Sequence, residues 1–103
     1  MTDDELNALA AEKVMGWVSA AGRRQWWFDG TSPMGPFNPL HSIADAMRLL
    51  DKFEGWTVTQ VPWLIQAEVV VRGDMELEIY KAEDKDPARA VTLACLKAVG
   101  AIE

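Results

Sequence analysis

Between Asp86 and Gly100 the chain carries an apolar residue at almost every position. Val91, Leu93, Ala94, Cys95, Leu96, Ala98 and Val99 leave only a narrow polar strip of Arg89, Thr92 and Lys97. Asp86 is a suitable cap, Pro87 fits the first helical position, and Gly100 ends the run, so the segment predicts a helix. A helix apolar on so much of its circumference must be covered from two sides. A sheet on one side and the first helix of the chain on the other would do it. With 103 residues there is one core to build, so residues 1–103 are read as a single domain.

The rest of the chain supplies those layers. Leu6, Leu9, Ala10, Lys13, Val14, Trp17, Val18 and Ala21 follow helical spacing, apolar at all but Lys13. Thr2 or Asp3 caps this helix, Asp3, Asp4 and Glu5 suit its positive end, and Gly22 closes it; Gly16 reads as an interior close contact. Gln25-Trp26-Trp27-Phe28 suits a short strand or extended segment, and Asp29-Gly30 turns the chain. Thr31 to His41 shows no period and holds prolines at 33, 36 and 39, which predicts a stiff loop. Ser42 caps a second helix with Asp45 in the capping-box position. Its stripe is Ile43, Ala46, Met47, Leu50 and Phe53, and Gly55 stops it.

Three strands follow: Trp56 to Val61, Leu64 to Arg72 and Met75 to Lys81. A two-residue turn in the second hairpin would set Val71 against Glu76. The three-residue loop Arg72-Gly73-Asp74 pairs Val71 with Met75 and Val69 with Leu77, so both apolar rows share one face. That loop is the expected one, with Gln66, Glu68, Val70, Glu76, Glu78 and Tyr80 on a solvated face. The predicted architecture is α+β: an antiparallel sheet of three to four strands layered with three helices, a sandwich of alpha/beta/alpha type.

Composition narrows the function more by exclusion than by indication. The net charge is −6, and binding a nucleic-acid backbone needs clustered Lys and Arg, so nucleic acid is not expected as a partner. No apolar run approaches the roughly 20 residues of a membrane span. Thr2-Asp3-Asp4-Glu5 lacks the basic start of an export signal, and the single Cys95 fits a reducing cytoplasm, so a cytoplasmic protein is expected. No cofactor is implied: neither a P-loop nor a dinucleotide glycine pattern is present. Glu68, Glu76 and Glu78 fall on one predicted face, and Glu83, Asp84 and Asp86 form a second acidic group. Without ligand spacing for calcium, both read as solvated charge, so no metal site is assigned. His41 is the one histidine. Pairing with Asp45 or Cys95 would be needed for catalysis, and a lone histidine at a helix entry is usually structural; no catalytic residue is assigned, and a non-enzymatic protein is expected.

Binding is left, and the aromatic residues carry it. Five tryptophans are a heavy load for a small core. Trp26, Trp27 and Phe28, with Met34 and Phe37 in the proline loop and Trp63 after Pro62, are the candidate partner-binding residues, although part of this set can instead fold over the core as a lid. Arg23, Arg24 and Trp26 are candidates for an alternative, a small ligand or nucleotide signal held between protomers of a homodimer.

Leu9-Ala10-Ala11-Glu12-Lys13-Val14-Met15-Gly16-Trp17, then Phe37-Asn38-Pro39 leading into Ile43-Ala44-Asp45-Ala46, then Ala94-Cys95-Leu96-Lys97-Ala98-Val99-Gly100 resemble the phage ABA-sandwich domain family. The resemblance runs in order along nearly the whole chain. His41 departs from it, because the family commonly reads Pro-Ser-Thr-Asp-Ile where this chain reads Pro39-Leu40-His41-Ser42-Ile43. The resemblance implies helix–sheet–helix layering and a phage or prophage origin, and it implies no activity. Small phage proteins without catalytic residues often bind host proteins. An inhibitor of a bacterial defence system, of the anti-CRISPR type, is therefore the expected function; a ligand-sequestering protein or a phage structural or accessory protein is the alternative.

Overall fold

A computed structural model describes residues 1–19 and 27–103. Among these, three helices and two three-stranded antiparallel sheets make an α+β fold. The helices are α1 (Asp3–Leu9), continued by a π-helical stretch at Ala10–Val14, then α2 (Ile43–Leu50) and α3 (Pro87–Ala98). A small sheet joins β1 (Val18–Ser19), β2 (Trp27–Phe28) and β3 (Pro33–Gly35). The larger sheet is a meander of β4 (Gly55–Val61), β5 (Leu64–Arg72) and β6 (Leu77–Asp84).

α3 lies at the centre. It packs against β5 and β6 on one side and against α2 and the π-helical stretch on the other. This is the two-sided cover its composition demands, with α2 sharing the task expected of the first helix. The contacts run along an alanine seam: Ala88, Ala90 and Ala94 of α3, Ala67 and Ala82 of the sheet, and Ala10 and Ala11 are all buried. Thr92, expected in the polar strip, is fully buried, and its hydroxyl donates to the Ala88 carbonyl at 2.8 Å. Asp86 caps α3 through the Ala88 amide. The far end closes with Gly100 donating to Lys97 and Ala101 to Leu96, a Schellman motif.

The first helix is shorter than its apolar spacing predicts. Gly16 has φ of +74°, a left-handed conformation that ends the helix, so Gly16 is a stop and not an interior contact. Trp17 still reaches the core, but from the turn after the helix. Val18 is exposed and belongs to β1, and the predicted Gly22 stop lies outside the described residues. A Cβ at position 16 would meet nothing within 4 Å, so only the backbone opposes a side chain there. Gly16→Ala is expected to cost about 1 kcal/mol, read as a lower midpoint in urea with an unchanged slope.

α2 is capped by Ser42, whose side chain accepts from the Asp45 amide. The Asp45 carboxylate does not close the predicted capping box; it accepts from the Asn38 amide at 3.0 Å and so holds the proline loop against the helix. The buried side of α2 is Ala46, Leu49 and Leu50, while Ile43 and Met47 are exposed and Phe53 lies beyond the helix end. Gly55 is likewise not the stop; it opens β4. The predicted loop also holds a strand, because Pro33–Gly35 pairs with β2.

The second hairpin departs from expectation most. Arg72 pairs with Leu77, Val71 with Glu78 and Val69 with Tyr80, leaving a four-residue loop, Gly73 to Glu76, closed by the Gly73 amide on the Glu76 carbonyl. The even-length loop moves every β6 side chain to the other face. Tyr80 and Ala82 therefore join Val69 and Ala67 against α3, while Leu77 and Ile79 sit beside Val70 on the outer face. Glu68 stays outside, Glu78 faces inward and Glu76 lies in the loop, so the predicted carboxylate cluster is divided.

Candidate functional site

Each candidate residue has a distinct fate. Trp27 and Phe37 are 4 % and 2 % exposed and belong to the core, so neither is available to a partner. Met34 packs partly buried against that core, and Phe28 is half-buried. This is the lid arrangement: Phe37 lies edge-on to Trp17 with ring centroids 4.9 Å apart. The Arg48 guanidinium stands 5.0 Å from the Trp17 ring centroid and 5.4 Å from that of Phe37. Arg23, Arg24 and Trp26 lie outside the described residues.

Trp63 is the exception. Val61 pairs with Leu64, so Pro62 and Trp63 alone turn the chain between β4 and β5, and Trp63 is 83 % exposed. The proline ring and the closing strand pair fix the backbone beneath it, so a contact made by this indole loses little entropy.

The first helix faces a different environment. Asp4, Glu5 and Glu12 line a cavity of about 250 Å³ with Trp27 and Phe37 in its wall. Carboxylates around an aromatic wall favour a cation and oppose a phosphate.

The polar residues elsewhere are committed to structure. His41 Nε2 lies 3.0 Å from Asp3 Oδ2, while Asp3 Oδ1 receives Arg89 Nη1 at 3.0 Å. The Arg89 Nε is also 3.5 Å from Asp84. This chain of polar contacts ties α1, the entry to α2, α3 and the end of β6 together. His41 thus pairs with neither Asp45 nor Cys95. Cys95 is fully buried, and desolvation pushes its thiol up to about 12, far from a nucleophilic thiolate. The hydrogen bond from Arg89 holds the Asp3 carboxyl below its ordinary range, with His41 adding to it. A depressed carboxyl contributes stability that is present above its unfolded value and is lost as pH falls through the folded one. Asp3→Asn is therefore expected to be less stable than wild type at pH 7. The difference should narrow below about pH 4, as followed by urea midpoints across pH.

Sequence reasoning did not anticipate Asn7, Arg48 or the ring of contacts around them. Asn7 is a buried amide on the first helix that donates to Asn38 Oδ1 at 2.8 Å and accepts the Leu40 amide at 3.1 Å. It pins to the helix the same Phe37-Asn38-Pro39-Leu40 stretch that Asp45 holds from the other side. The family model described as the phage ABA sandwich domain matches residues 8–96, which spans that stretch, α2, the larger sheet and most of α3. The chain belongs to the phage ABA sandwich domain family. No curated protein and no solved structure matches it. Among the described residues, no helix of this phage ABA sandwich protein is long and apolar enough to cross a membrane.

Proposed function

We propose that this phage ABA sandwich protein acts by binding a host protein, without catalysis, and that the protein bound belongs to a bacterial defence system of the CRISPR type. The observation that carries the reading is Trp63, a large indole held almost wholly in solvent on a two-residue turn. Tryptophan is among the residues enriched at the hot spots of protein interfaces. The acidic first helix and the net charge of −6 suit a partner with a basic surface, as proteins that handle nucleic acid have.

The test is phage plating on bacteria that carry an active defence system and express this protein. Wild type is expected to restore plaque formation, and Trp63→Ala to lose most of the restoration while remaining folded. Loss of an anchor worth about 2 kcal/mol weakens binding by roughly thirtyfold. Equal plating with and without the protein across a panel of defended hosts would overturn the reading.

A further inference from the structure

The outer face of the larger sheet is bare among the described residues: α3 covers only the inner face. Side by side on that outer face stand Val70 and Ile79, with Leu77 beside Arg72 in the next row and Gly55 flanking Val70 on β4. Ile79 and Leu77 are 57 % and 58 % exposed, and Met75 in the adjoining loop is 98 % exposed. Gly55 adds no side chain, so Val70 is open on that flank; a Cβ there would lie 3.8 Å from Val70 Cγ2. On the other side of the apolar row lie Thr57, Glu68 and Lys81.

We infer that this face is covered by a second copy of the same chain, in a two-fold dimer centred on the Val70–Ile79 row. The charge pattern selects both the occupant and the axis. In a chain of net charge −6, the strand residues of this face balance Arg72 and Lys81 against Glu68 and Glu83, so the face itself carries no net charge. A two-fold laid across the strands through Val70 and Ile79 stacks those side chains on their own counterparts. It also exchanges the rows on either side, which places Arg72 of each copy over Glu68 of the other. A two-fold laid along β5 would instead oppose Arg72 to Arg72. The first axis pairs opposite charges along β5, with Leu77 laid over Lys81 of the other copy, and the second pairs like charges.

Glu68 already lies 3.7 Å from Lys81, and Arg72 lies 3.6 Å from Glu54. As exposed pairs these contribute little; covered by a second sheet they become a network shielded from water. With one strand row and the loop on the short side of the Val70–Ile79 row, the two sheets overlap over roughly 14 by 20 Å on each copy. That lies below the range of stable specific interfaces, so the dimer is weak, dissociates on dilution and is not obligate.

Sedimentation equilibrium of the full chain from low micromolar to near-millimolar concentration tests the inference. Wild type should pass from one chain to two. Ile79→Asp should weaken the association at least a hundredfold, and Leu77→Lys, on an equally exposed site, serves if the first variant loses its circular-dichroism spectrum. Arg72→Glu and Glu68→Arg should each weaken it about tenfold, and the double variant should recover most of the loss. A single-chain mass for wild type at every concentration overturns the proposal. So does a dimer indifferent to Ile79→Asp and Leu77→Lys, or a double variant no better than either single. None of these readings involves Trp63, so failure here and failure of the host-binding proposal are separate results.

Discussion

Phe37→Ala is expected to destabilise the domain by about 3–5 kcal/mol, the range for removing a buried aromatic side chain. The ring is 2 % exposed, so nearly all of its transfer energy is at stake. Its loss also removes the edge contact to Trp17 and one of the two rings beneath the Arg48 guanidinium. Against a total stability of 5–15 kcal/mol typical of such domains, the variant should unfold at markedly lower urea, with a large fraction unfolded at 37 °C if wild type is at the lower end. Phe37→Leu should recover much of the loss, because it restores volume without the ring geometry. Trp63→Ala should change the midpoint by less than about 0.5 kcal/mol, as expected of an exposed side chain. Equal effects at positions 37 and 63 would contradict the division of the aromatics between core and surface.

Asn7→Ala is expected to cost about 1–3 kcal/mol, more than its small volume suggests. One buried group loses its partner, the Leu40 amide, whose residue is fully buried, while the exposed side chain of Asn38 can turn to water. An unsatisfied buried group costs about 1–3 kcal/mol. The effect should be local as well as global. Amide exchange at Leu40 and through the Phe37–Leu40 stretch should accelerate before the global midpoint is reached, whereas exchange in α3 should track global unfolding. A loss below about 1 kcal/mol would mean that water replaces the amide.

What could be read from the residues was set by short-range rules. Ser42 and Asp86 announce their helices because a cap is a local hydrogen bond. The breadth of apolar residues on α3 foretold its central place because burial has no alternative for such a helix. The failures share a different cause. Matching the apolar rows places Leu77 and Ile79 inward, but an alternating strand carries no mark of its register, and the loop that sets it runs through residues compatible with either length. The apolar spacing carries the first helix too far because Trp17 and Val18 continue it, while only the backbone at Gly16 reveals the stop. At the candidate surfaces, composition announced a surplus of tryptophan but not its division. Trp27 and Trp63 look alike as neighbours of turn residues, and only tertiary packing separates them.

The alanine seam around α3 also bears on how such a domain can change over time. Where helix and sheet meet through methyl groups, every enlargement forces backbones apart, at about 1–3 kcal/mol for each overpacked site. Variation admitted by the fold is therefore channelled to positions remote from that seam, the outer sheet face and the Pro62–Trp63 turn among them. A protein built this way can exchange the chemistry it shows to the outside while its scaffold stays still.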